Sequence, residues 1–195
     1  MNFTDWLHEP DQGELVRACK ALKSNPSEAL KLFEDLAKAG SAMSMLYIGY
    51  IYSDGLGRAR DLNEAEKWFR QAANAGSVSA QYSLGNLYAR SKRLGEAREA
   101  FAIAGAQDYG PALNQLGRMY AVGSGVEKDL RRARQYLERA SAVGHLPGRV
   151  ALARLLMRNP GSRIDKVRGL LLYVAAWPTI LFRLLKEGYA SERLR

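Results

Sequence analysis

The sequence predicts an all-α protein, a right-handed superhelical solenoid of helix-turn-helix repeats. Three observations carry this. A small residue, an apolar–Gly pair and a Tyr recur at fixed spacing along the chain. Between the recurrences, apolar residues stand three and four apart, the spacing of one face of a helix. No segment of matching length alternates apolar and polar as a half-buried strand does.

The first half of the repeat reads Ser44, Ile48-Gly49, Tyr52, then Ala80, Leu84-Gly85, Tyr88, then Ala112, Leu116-Gly117, Tyr120. A degraded fourth copy reads Gly148, Leu152-Ala153, Leu156, and the copies start 36, 32 and 36 residues apart. Residues four apart lie one turn above another, so each set marks one helix face. The second half reads Gly55, Gly57, Asp61, Ala65, Trp68-Phe69, Ala72-Ala73, Gly76, and again Gly123, Gly125, Asp129, Ala133, Tyr136-Leu137, Ala140-Ser141, Gly144. Copy two is four residues shorter in the glycine loop but keeps Ala97, Phe101 and Ala104-Gly105. Copy four keeps Gly161, Asp165, Tyr173 and Ala176, and an upstream half-copy keeps Ala29, Phe33, Ala37 and Gly40.

The local signals agree. Gly55 and Gly123 stand where a left-handed residue ends a helix. Asp61 with Glu64 resembles a capping box, and Asn25-Pro26 a cap followed by Pro at the first helical position. Gly85, Gly117, Ala72 and Ala73 remove bulk where two helix axes approach. One helical hairpin cannot bury its apolar face alone; stacked hairpins share a core. The expected layout is a single domain over 1–195: capping helices in 1–43, repeats at 44–79, 80–111 and 112–147, a degenerate repeat at 148–183 and a tail at 184–195. That gives about eleven helices, the last starting near Pro178.

The stretches AQYSLGNLY, ALNQLGRMY, GLGRARDLNEAEKWFRQAANAG and GSGVEKDLRRA carry a resemblance to the Sel-1-like repeat (SLR) family, relatives of tetratricopeptide repeats. The resemblance implies an adaptor or scaffold that holds a peptide or folded partner. Lone Cys19 excludes the disulfide-rich secreted branch.

Composition narrows the chemistry. One cysteine and two histidines leave no cysteine-built zinc site and little for acid–base work. His145 is expected in a solvated turn, and His8, before Glu9-Pro10, cannot form a zincin helix. Gly55-Leu56-Gly57 and Gly123-Ser124-Gly125 follow no strand and lack the downstream GK[ST], so they read as helix ends. No nucleophile, base and orienter assemble, so neither enzymatic activity nor a cofactor or metal is expected. The N-terminus has no basic, apolar and small-residue leader pattern, and Gly169 to Phe182 is too short for a membrane span, which makes the expected location cytoplasmic.

Charge is lopsided. Residues 1–76 hold 9 basic and 11 acidic residues, and residues 77–195 hold 20 and 9. In similar solenoids the first helix of each pair lines the concave face, which places Leu46, Tyr50 and Asp54, then Tyr82, Asn86 and Arg90, then Asn114, Arg118 and Val122, then Val150, Arg154 and Arg158 toward a groove. The partner-binding residues expected there are Tyr50, Tyr82, Asn86, Arg90, Asn114, Arg118, Arg154 and Arg158. The expected ligand is an extended, acidic peptide or protein, because Arg forks pair bidentately with carboxylates. The alternative is RNA or another polyanion, though few aromatics interleave with the arginines. A second candidate contact is the apolar C-terminal segment, Trp177, Leu181, Phe182 and Leu185, facing a partner, a membrane surface or a second copy in a homodimer.

Overall fold

The structure, a computed structural model, describes residues 9–158 and 161–192, with side chains through 178. The described residues form ten helices and no strand: α1 Gln12–Ser24, α2 Pro26–Lys38, α3 Ala42–Asp54, α4 Leu62–Asn74, α5 Val78–Arg90, α6 Leu94–Ala106, α7 Gly110–Val122, α8 Leu130–Ala142, α9 Leu146–Arg158 and α10 Arg163–Glu192. The first nine have 13 residues each, and α10 has 30. Among the described residues there is no eleventh helix, because α10 continues through Pro178. A proline removes one backbone donor and crowds the preceding turn, which costs a helix stability without always ending it.

Packing divides the chain into two compact units, one ending at Gln107 and one beginning at Asp108. In the first, α1 pairs with α2, α3 with α4 and α5 with α6, and α2–α3 and α4–α5 contacts join the pairs. Its core holds Leu15, Phe33, Met43, Ile48, Phe69 and Phe101. In the second, α7 pairs with α8 and α9 with α10, joined by α8–α9 and α7–α9 contacts around Leu116, Leu137, Leu152 and Leu156.

The helix pairs close because of where glycine stands. A Cβ on Gly49 would sit 2.4 Å from the Phe69 ring, one on Gly85 2.4 Å from Phe101, and one on Gly117 2.6 Å from Leu137. The recurring glycine of the first helix thus faces the recurring bulky residue of the second. The turns follow one rule as well. Gly55 and Gly123 are left-handed at φ 72° and 78°. Asp61 and Asp129 each cap the following helix through two backbone N–H groups. Their own N–H groups donate to the carbonyls of Tyr52 and Tyr120, both at 2.9 Å. That bond takes the role expected of Glu64, whose carboxylate pairs with Lys67 instead. Copy two closes its short turn in the same way. Arg93 N–H donates to Tyr88 O at 2.9 Å, and Lys92, at φ 59°, stands in the left-handed position without being glycine.

Arg93 then ties this turn to the preceding repeat by bridging Glu66 and Glu96. Burial pushes the Glu66 carboxyl up, but hydrogen bonds from Arg93, Arg70 and Tyr88 outweigh it and hold the group below its ordinary value. At the other end of the unit, the Glu9 carboxylate accepts from Met43 N–H at 2.9 Å and from the Ser41 hydroxyl, so it covers open donors at the start of α3.

Two expectations are corrected here. Leu46 is 1% exposed and belongs to the core, because α3 is flanked by α2, α4 and α5 and has little free surface. His145 is half-buried against Gly110, where a Cβ would approach the His145 Cβ to 2.6 Å, and burial lowers its pKa, favouring the neutral ring. Cys19 is half-buried, and burial pushes its thiol up despite a hydrogen bond with Tyr47, so it is a poor nucleophile at neutral pH. No helix of the described residues is long and apolar enough to cross a membrane.

Candidate functional site

In the first unit, the groove residues of α3 and α5 surround a small polar cavity of about 190 Å³ lined by Tyr50, Ser53, Asp54, Ser83, Asn86 and Arg90, among others. Tyr50 is half-buried, with its hydroxyl 2.7 Å from Ser83 Oγ and its ring edge-on to Phe69 at 5.3 Å. Tyr82 tilts against Phe101 at 5.6 Å. Both rings therefore serve the interior of the repeat as well as its surface. Arg90 lies 3.8 Å from Asp54, and both are more than half exposed, a pairing worth little in water.

The second unit is different in size and charge. α7 and α9 are the first helices of copies three and four. Residues four apart on them, Asn114, Arg118 and Val122, and Val150, Arg154 and Arg158, rise along one face each. All six line a single cavity of about 760 Å³. Its other walls include Leu130, Leu137, Leu146 and Leu155, and Lys128 adds a further cation. Lys128 went unseen in the sequence because it sits in the glycine loop, whose residues read as helix termination.

Among the described residues no acidic residue lines this cavity. Among the described residues none of Arg118, Lys128, Arg154 and Arg158 has an ion pair, whereas Arg134, Arg139 and Arg168 all meet carboxylates. The Oδ1 atom of Asn114 is buried and has no hydrogen-bond partner. A buried acceptor without a donor is costly and uncommon. The surrounding field has the same sign: residues 108–195 hold 16 basic and 7 acidic residues, the whole of the chain's +9. An apolar floor and unpaired cations suit an anionic chain that also carries apolar side chains.

Of the expected C-terminal contacts, Trp177 lies on α10 and is half exposed. The side chains of Leu181, Phe182 and Leu185 lie outside the described residues, as does His8. Among the described residues no group of His, Cys, Asp and Glu is placed to hold a metal ion.

Repeated hairpins with glycine-to-bulky contacts and glycine-ended first helices define a helical-repeat protein. Residues 20–41, 42–77 and 110–145 match the Sel1 repeat, and the chain belongs to the Sel1-repeat proteins. Proteins built from this repeat generally mediate protein–protein interaction and are generally non-enzymatic scaffolds. The chain is 31% identical over 122 residues to the ERAD-associated E3 ubiquitin-protein ligase component HRD3B of Arabidopsis thaliana, a match covering 60% of this chain and 19% of that one. It resembles the crystal structure of a Sel1 repeat protein from Oxalobacter formigenes, with a TM-score of 0.71, 29% identity, and coverage of 80% of this chain and 65% of that one. It is also similar to c5321, a protective antigen of uropathogenic Escherichia coli displaying an SLR fold, with a TM-score of 0.70, 25% identity, and coverage of 80% and 36%. The chain thus spans about a fifth of its plant relative and just under two thirds of the Oxalobacter protein.

Proposed function

We propose that this chain is a non-catalytic adaptor that holds an acidic, extended segment of a partner protein in the cavity between α7 and α9. The observation that supports it is the set of four cations that, among the described residues, have no acidic partner around one cavity. In this reading Arg118 and Arg154 take ligand carboxylates through bidentate forks. Asn114 bonds the ligand backbone through its amide group, and Val122 and Val150 pack on apolar ligand side chains. RNA is the alternative polyanion, but a site that reads RNA bases commonly stacks them on aromatic faces, and among the described residues no aromatic lines this cavity.

The test is fluorescence anisotropy with a labelled Glu octapeptide, its Gln counterpart and a single-stranded RNA octamer. Selective binding of the Glu peptide, lost at least tenfold in the Arg118→Glu/Arg154→Glu protein, is the expected result. Equal binding of the Gln peptide, or RNA binding that is tighter and falls steeply between low and moderate salt, would overturn it.

A further inference from the structure

The second surface that calls for a partner is the outward face of α10. Its inner face packs on α9 through Gly169, where a Cβ would come within 3.0 Å of Ala153 O, and through fully buried Ala176. On the opposite side Ile164, Val167, Leu171 and Val174 stand at alternating spacings of three and four, with Leu170 and Trp177 alongside. All six are exposed, from 51% at Trp177 to 77% at Ile164. This is the a/d pattern of a seam between two helices.

The preceding repeats show that the pattern is particular to this helix. The positions of Leu171 and Val174 correspond to Lys67 and Arg70 in α4 and to Gln135 and Glu138 in α8. Where the second helix of a repeat faces water it carries polar residues; here it carries aliphatic ones. Length agrees. At 1.5 Å per residue α10 is roughly 45 Å long and α9 roughly 20 Å, so α9 accompanies less than half of it.

The geometry points to a second copy of this chain as what covers the stripe: a two-fold dimer in which the α10 helices pair along Ile164, Val167, Leu171 and Val174. An aliphatic seam is complementary to itself, as an isologous contact requires, whereas the cationic cavity is not. A bilayer would accept any apolar arc and does not select a three-four register. Six side chains cover less than the ~800 Å² per partner of a standard interface, which fits a weak dimer that forms at tens of micromolar. The same spacing continues in the sequence through Pro178 to Leu181 and Leu185, and the side chains of these two leucines lie outside the described residues.

Sedimentation equilibrium of the full chain, from about 1 to 100 µM, tests this. Twice the monomer mass at tens of micromolar is expected. Leu171→Glu and Val174→Lys, each at an exposed site, should halve the mass with unchanged helicity. The Arg118→Glu/Arg154→Glu protein should stay dimeric, which separates this surface from the cavity. A monomeric wild-type chain at 100 µM would overturn the proposal whatever the variants do. So would binding to phosphatidylserine vesicles that Leu171→Glu abolishes while the wild type remains monomeric.

Discussion

Two alanine substitutions should change stability in opposite directions if the close approach of paired helices is what glycine serves. In α5, Gly85→Ala places a methyl 2.4 Å from Phe101 Cε1 and 2.5 Å from Cδ1. Phe101 is 2% exposed and its ring also rests on Tyr82, so it has no free space to swing into. Overpacking of this kind costs ~1–3 kcal/mol. Alanine returns up to ~1 kcal/mol of helix propensity. The net expectation is a loss of about 1–2 kcal/mol, a fall of roughly 2–8 °C in the melting temperature for a chain of this size. In α6, Gly95→Ala meets no atom within 4 Å and keeps only the propensity gain, so it should stabilise by up to ~1 kcal/mol. Thermal melts followed by circular dichroism, with urea titrations because stacked repeats need not unfold in one step, measure both. If Gly85→Ala matches or exceeds the wild type, the steric account of the repeat's glycine is wrong.

Two further outcomes follow from the turns. Lys92→Gly should raise stability by ~1 kcal/mol in the same melts, because the left-handed conformation at φ 59° strains a residue with a Cβ. Glu66→Gln should destabilise near neutral pH, with a penalty that shrinks in acid. The Glu66 pKa is lowered in the folded chain, so its stabilisation is full above the unfolded value of about 4.3 and disappears as the pH falls through the folded value. Urea titrations of both proteins at pH 7 and pH 3 check it; a constant difference across that range would contradict the network around Glu66.

How much of this was legible in the sequence differs from feature to feature. The repeat itself was plain, because its steric demands fall on residue types: a glycine facing a Phe or Leu, a glycine that ends a helix, an Asp that caps the next. The end of α10 was not. Pro178 marks a weak point, and whether a helix continues past it depends on the helix on either side. The reciprocal bond expected of Glu64 also failed, since the Asp61 N–H finds the Tyr52 carbonyl, a partner nine residues back that only the closed turn brings near.

The candidate site divides in the same way. Helical spacing put Asn114, Arg118, Arg154 and Arg158 on facing helices, and the excess of arginine set the sign of the field. Leu46 and Lys128 could not be placed in this way, because burial and cavity walls depend on which elements lie on either side of a helix. Periodicity along one chain decides which residues share a face; only the packing of α7, α8 and α9 decides that four cations surround one cavity without a carboxylate, and only the reach of α9 beside α10 decides which apolar residues are left facing water. Each of those turns on distances between segments far apart in sequence, which no local pattern encodes.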